Sequence, residues 1–128
     1  LDSLLACARE LGLFVLLEAF TAEDLERIGA LEPAAGVPVL AGVNSRNLRD
    51  LSVDFARFAA LAPHLPPHLP AVAESGIDGV ASVRAVAELG FHAALVGSAL
   101  MRTRAPGAAL AELLAAGRAA AGGDPACS

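Results

Sequence analysis

Short apolar runs alternate with longer amphipathic segments along the whole chain. The runs cover residues 13–17, 39–43, 71–73 and 93–96. Between them, apolar positions recur three or four residues apart, as they do on one face of a helix. Strands that alternate with helices are typical of a parallel sheet joined by right-handed crossovers. The pattern therefore predicts four βα units.

Capping and turn residues predict where the helices start and stop. A first helix over Leu4–Leu11 ends at Gly12, which suits a helix C-terminus. Thr21 followed by Asp24 is typical of a capped helix start. Further helices are predicted from Asp54 to the Pro-rich stretch 63–70, from Gly79 to Leu89, and from Pro106 to Ala120, with a frayed tail over 122–128.

Four strands are too few to close a barrel, because a packed interior takes about eight strands. The chain also begins with Leu1 and contains no lysine, since all nine basic residues are arginine. We therefore expect residues 1–128 to form one unit, the C-terminal half of a TIM (β/α)8 barrel. This half would hold about strands 5–8 and their helices, and an N-terminal half would be missing.

Composition excludes several classes of function. The chain is 55% hydrophobic with a net charge of −5, and it has no basic cluster and no Trp or Tyr to stack on a base. These features argue against a nucleic-acid partner. Cys7 and Cys127 lack metal-site or disulfide spacing, and no apolar run is long enough for a membrane span. We expect a cytoplasmic protein without a metal site.

Polar residues collect just beyond the predicted strand ends, which share one face in a parallel barrel and carry the active site there. A Glu after a strand or an Asn in a turn is commonly only a solvated residue or a turn former, so each residue alone is weak evidence. The candidates are Glu18, Asn44 with Arg46, Glu74 with Ser75, and Gly97 with Ser98.

The last two of these loops suggest a phosphate site. Ser75-Gly76 and Gly97-Ser98 combine hydroxyls with glycines that let the backbone approach a ligand. In TIM barrels a phosphate is often bound between the loops after strands seven and eight. Arg46 could add a fixed positive charge. The simpler interpretation is that both glycines only permit tight turns.

Other polar residues are not expected in the site. His64, His68 and His92 precede strands, so they should lie at the opposite end of the barrel as surface or stabilising residues. Met101 and Arg102 follow the last strand and are expected to pack on or solvate that turn.

Four blocks together resemble the strand ends of indole-3-glycerol phosphate synthases. They are Leu16-Leu17-Glu18-Ala19, Gly42-Val43-Asn44-Ser45-Arg46-Asn47-Leu48, Ala73-Glu74-Ser75-Gly76-Ile77 and Leu95-Val96-Gly97-Ser98-Ala99-Leu100-Met101. Their order and spacing agree with the family across almost the whole chain, and the second and third blocks are the most specific.

The resemblance implies a carboxy-lyase of tryptophan biosynthesis. The substrate, 1-(2-carboxyphenylamino)-1-deoxyribulose 5-phosphate, would undergo ring closure, decarboxylation and dehydration to indole-3-glycerol phosphate, with no cofactor or metal. By resemblance, Glu18 would transfer a proton or stabilise positive charge, Asn44 would orient substrate hydroxyls, and Glu74 would hold the anthranilate nitrogen region. The phosphate would be held by Arg46, Ser75, Gly76, Gly97 and Ser98.

One departure from the family is serious. Its principal general acid is a lysine carried by the first half of the barrel, and this chain has none. Arginine cannot replace it, because a pKa above about 12 holds the proton too tightly. We therefore expect these 128 residues alone to be inactive.

Two alternatives stay open. One is another phosphate-handling barrel, such as phosphoribosyl anthranilate isomerase or the tryptophan synthase α subunit, against which the Asn44-Ser45-Arg46 block argues. The other is a non-catalytic half-barrel that binds phosphorylated ligands and forms a homodimer to cover its open edges.

Overall fold

The predicted alternation of strands and helices is present in the computed structural model, which describes residues 1–31 and 36–122. The strands are β1 (Val15–Ala19), β2 (Val39–Asn44), β3 (Ala71–Glu74) and β4 (Ala93–Leu95). The helices are α1 (Asp2–Glu10), α2 (Ala22–Gly29), α3 (Ala56–Leu61), α4 (Val80–Glu88), α5 (Ser98–Arg102) and α6 (Pro106–Ala120), with a 3-10 turn at Ala62–His64.

The four strands form one parallel sheet in the order β1-β2-β3-β4. Each strand pairs with the next strand along the chain, a common arrangement for consecutive strands. Within the described residues, β1 and β4 are the two edges of the sheet, so the sheet is open, as the strand count predicts.

Local chemistry explains the helix starts. The Thr21 hydroxyl accepts a hydrogen bond from the Asp24 amide at 3.2 Å, and the Asp24 carboxylate accepts one from the Thr21 amide at 3.1 Å. This capping box satisfies amide groups that the helix itself leaves unpaired. Pro106 opens α6, where a missing amide hydrogen has no cost. Both predicted starts are confirmed.

One face of the sheet packs on the helices and forms the core. Small residues on the strands, such as Ala41 and Ala73, leave room for Leu25 of α2 and Phe58 of α3. Phe58 meets Phe91 edge to face, with ring centroids 5.4 Å apart, a favourable arrangement for aromatic pairs. This packing fixes the strands whose other face carries the candidate site.

Some predicted boundaries are wrong. The first strand covers Val15–Ala19 and not residues 13–17, because Leu13 follows the helix-ending Gly12 and its amide bonds back to the Ala8 carbonyl. Strands β2 and β3 each end one residue later than predicted, so Asn44 and Glu74, like Glu18, lie within strands and not beyond them. The third helix starts at Ala56, two residues after Asp54. Helix α5 was not predicted.

The histidines lie where the sequence predicts. All three are exposed, and the Nδ1 of His92 accepts a hydrogen bond from the Ala71 amide at 3.1 Å. The predicted frayed tail over 122–128 and Cys127 lie outside the described residues, except for Gly122. No described helix is long and apolar enough to cross a membrane.

Candidate functional site

Three polar side chains share the face of the sheet that the helices leave uncovered. Glu18 of β1 pairs in register with Gly42, and Asn44 pairs with Glu74. Because alternate residues of a strand point to the same face, Gly42 and Asn44 lie side by side on this face. Glu18, Asn44 and Glu74, which we call the carboxylate cluster, are thus brought together at the carboxyl ends of three strands.

The nitrogen and the oxygen of the Asn44 side-chain amide both make hydrogen bonds, which hold the side chain in one orientation. Its Nδ2 donates to Glu18 Oε2 at 3.1 Å, and its Oδ1 accepts from the Arg46 amide at 2.9 Å. The Arg57 guanidinium donates to the Asn44 carbonyl at 3.0 Å. The Asn44 side chain therefore positions the Glu18 carboxylate. The Arg57 guanidinium stabilises the backbone at the end of β2.

Glu74 is the most buried member of the cluster, with 4% of the residue exposed. Its carboxyl group lies over Gly42, and Oε1 is buried with no hydrogen-bond partner among the described residues. Burial, followed by the negative charge of Glu18, raises the pKa of Glu74 from 4.5 to about 7. Near neutral pH Glu74 can therefore hold or release a proton beside the open face.

Replacing Glu74 by glutamine should change how stability depends on pH. The folded pKa is raised, so the folded state keeps a proton that the unfolded state releases between pH 4.5 and about 7. Stability from this group is complete below that window and falls as pH rises through it. Glu74→Gln cannot ionise, so it should gain stability over wild type by up to about 3 kcal/mol above pH 7. Urea unfolding across this pH range measures the difference.

The matched control for this measurement is Glu26→Gln, which makes the same change on an exposed position of α2. Its unfolding free energy should follow that of wild type at every pH. Parallel pH profiles for wild type and Glu74→Gln would show that the Glu74 carboxyl is not held protonated by its surroundings.

The phosphate candidates line a single open pocket of about 1020 Å³ beside the carboxylate cluster. We call it the loop pocket. Glu74 also lines it, so this residue joins the two parts of the site, whereas Glu18 and Asn44 lie outside the pocket lining. The five candidates in its wall are Arg46, Ser75, Gly76, Gly97 and Ser98.

Arg46 is anchored at the mouth of this pocket. Its Nη1 donates to the Leu51 carbonyl at 2.9 Å, and Leu51 has a φ of 61°, which places it in the left-handed region. Arg46 also forms an antiparallel bridge with Val53 across the intervening loop. The remaining guanidinium donors can bind an anion through two parallel N–H groups, the geometry that arginine favours.

Arg102 also lines the loop pocket, where the sequence predicted only a turn residue. It lies four positions after Ser98 in the unpredicted helix α5, and residues four apart share one helix face. A helix predicted over residues 98–102 would have placed Arg102 on the same face as Ser98. Arg57 and Gly42 were missed for another reason, because their contacts join different elements, α3 with β2 and β2 with β3. No described group of three or more His, Cys, Asp or Glu side chains is placed to hold a metal.

Comparisons with known sequences agree on one family. The family model described as indole-3-glycerol phosphate synthase matches residues 1–113. An indole-3-glycerol phosphate synthase of Kineococcus radiotolerans is 46% identical over 91% of this chain and 41% of its own length. The same enzyme of Streptomyces griseus is 45% identical over 91% of this chain and 42% of its own length. The chain thus spans about two fifths of the curated relatives it matches.

Solved structures support the fold class. A mandelate oxidase crystallised with benzoyl-formic acid covers 94% of this chain with a TM-score of 0.62. At 21% identity, and with 38% of its own chain covered, it shows the fold alone. The BexX/CysO complex of Amycolatopsis orientalis is 27% identical over 97% of this chain and 52% of that chain, with a TM-score of 0.55. The predicted partial TIM barrel is confirmed.

Proposed function

Since this chain belongs to the indole-3-glycerol phosphate synthase family, we propose that it supplies the phosphate site and one carboxylate pair of such an enzyme. The observation that carries this proposal is the arrangement of one pocket, in which Glu74 of the carboxylate cluster and both glycine-containing loops share a wall. One phosphorylated substrate could therefore reach both parts at once. We further propose that the protein is cytoplasmic.

The phosphate end would anchor the substrate away from the reacting atoms. Arg46 offers a positive charge, and the loops at Ser75-Gly76 and Gly97-Ser98 offer hydroxyl and amide donors. Binding energy from such a remote group can be used to orient the reacting centre. Arg102 would add a second charge at the same pocket.

The carboxylate cluster would manage protons and charge during the reaction. Ring closure forms a carbon–carbon bond, the carboxylate leaves as CO₂, and the former carbonyl oxygen leaves as water after protonation. Glu18 would take up or return a proton, Asn44 would orient substrate hydroxyls, and Glu74 would hold the anthranilate nitrogen region. A carboxyl group whose pKa is raised to about 7, as that of Glu74 is, can both accept and donate a proton near neutral pH.

By the family resemblance, the principal general acid would be a lysine carried by the first half of the barrel. This chain has no lysine, and arginine does not give up its proton near neutral pH. We propose that the partner is a polypeptide with the first four strands, which would close the barrel between β1 and β4 and supply the acid. Closure would also cover exposed apolar residues such as Leu95, which is 53% exposed.

The intact mass of the native gene product tests this proposal. A mass more than twice 12.9 kDa, together with turnover of the carboxyphenylamino substrate, is the expected result. A native product of 12.9 kDa without turnover would instead favour the homodimeric phosphate-binding half-barrel. The open edges at β1 and β4 are the observation behind that second candidate.

Gly97→Ala should weaken phosphate binding without weakening the fold. A methyl group at Gly97 would meet no protein atom within 4 Å, and Gly97 lines the loop pocket. The new methyl would therefore project into space that we assign to the phosphate, and we expect affinity to fall about tenfold. Calorimetric titration of the full-length gene product with inorganic phosphate measures this.

Gly79→Ala is the matched control, because a methyl there also meets nothing within 4 Å and Gly79 is outside the pocket lining. It should bind phosphate as wild type does. Equal affinity of the Gly97→Ala variant and wild type would place the phosphate elsewhere.

A further inference from the structure

Ser45 is the most deeply buried polar residue described, with 0% of it exposed. Its amide donates to the Glu74 carbonyl at 2.9 Å, and its carbonyl accepts from the Asp54 amide at 3.0 Å. Its hydroxyl donates to the Ser75 carbonyl at 3.1 Å. One residue therefore ties the end of β2 to the loop after β3 with both its backbone and its side chain.

The loop that Ser45 holds has an unusual backbone. Ser75 and Gly76 are consecutive residues with φ angles of 66° and 71°. Glycine adopts this left-handed region readily, whereas serine does so rarely and needs support from its surroundings. The Ser45 hydroxyl bond to the Ser75 carbonyl is such a support.

Ser45 also forms the wall behind this loop. A methyl group added to Gly76 would lie 3.1 Å from Ser45 Oγ and 2.8 Å from Val53 Cγ1. Gly76 is therefore packed against Ser45 and Val53 with no space for a side chain. Ser75 and Gly76 line the loop pocket and Ser45 does not, so Ser45 contacts the loop from outside the pocket wall.

Peptide geometry passes this constraint to the amide groups. In a trans peptide the carbonyl oxygen and the following amide hydrogen point in opposite directions. No peptide bond in the described chain is cis. Because the Ser75 carbonyl points to Ser45, the Gly76 amide points the other way. Successive amides near left-handed residues commonly form a concave site for an anion.

We propose that Ser45 is a positioning residue for phosphate, which orients the Gly76 amide through its hydroxyl and does not contact the ligand. This inference rests on the proposed phosphate site of the loop pocket. It predicts that the hydroxyl sets affinity for the phosphate group and has little influence on the chemical step.

The test is Ser45→Ala in the full-length gene product, titrated with inorganic phosphate and assayed for turnover. We expect phosphate affinity to fall and KM to rise, each about tenfold, as the loss of one orienting hydrogen bond allows. The kcat should change less than about twofold, since no group at the reacting centre is altered. Ser52→Ala is the matched control, because the Ser52 hydroxyl bonds to Asp50 at 2.6 Å on the surface outside the pocket.

The outcomes separate this inference from the function on which it rests. Failure of wild type to bind phosphate in competition with substrate would overturn both. Phosphate binding by wild type and by Ser45→Ala with equal affinity would overturn the positioning role alone. If Ser45→Ala does not fold, Ser45→Cys keeps the size and a weak donor, and we expect an intermediate affinity. Wild-type affinity in Ser45→Cys would then overturn the proposal.

Discussion

Glu18→Gln in the full-length gene product is expected to lower kcat by a factor of about 10²–10⁴, the usual contribution of a positioned general acid or base. Glutamine can still accept the hydrogen bond that Asn44 donates to Glu18 Oε2 at 3.1 Å. The geometry of the cluster should therefore persist while the ionisable group is lost. Steady-state conversion of substrate to indole-3-glycerol phosphate measures the effect.

Glu26→Gln is the control for Glu18→Gln, since it removes an exposed carboxylate from α2. It should leave kcat unchanged. Because Glu18 would act on reacting atoms and not on the phosphate, affinity for inorganic phosphate should also be unchanged in Glu18→Gln. A kcat within about threefold of wild type would remove Glu18 from proton transfer.

The sequence predicts the order and type of elements well, because each strand and helix is marked locally. Three such signals depend only on residues close by in the sequence: Thr21 with Asp24, Gly12, and Pro106. Each is found at the helix end that it predicts. The predicted start of the first strand is wrong, since Leu13 and Phe14 are as apolar as the residues of the strand that follows. Composition cannot distinguish a turn from a strand there.

The sequence predicts which residues belong to the site but not how those residues contact one another. Parallel strand pairing places Glu18, Asn44 and Glu74 on one face of the sheet. The roles that the family resemblance implies for them stay predictions. The contacts of Ser45 and Gly42 depend on how neighbouring strands are placed against each other, and the contact of Arg57 joins α3 to the end of β2. No periodicity within one segment encodes how two segments are placed against each other, so only the folded structure reveals these contacts.

Gly42→Ala should damage both the fold and the reaction. An added Cβ would overlap Glu74 Oε1 and lie 3.1 Å from Leu16 Cδ1. Glu74 is buried, so its carboxyl must move, which would disturb its arrangement with Glu18. Overpacking of this kind costs about 1–3 kcal/mol of unfolding free energy. A catalytic group misplaced by about 1 Å can cost about 100-fold in rate, so kcat/KM should fall by that order.

Two further variants separate the steric cause from a general effect of alanine. Gly107→Ala adds a methyl in open space on α6 and should keep or raise stability, by up to about 1 kcal/mol. Adding Glu74→Ala to Gly42→Ala removes the overlapping carboxyl, so stability should recover while turnover stays low. If the double variant is no more stable than Gly42→Ala, the contact between Gly42 and Glu74 does not set the cost. The glycine would then be required for its fit against Leu16 of the neighbouring strand.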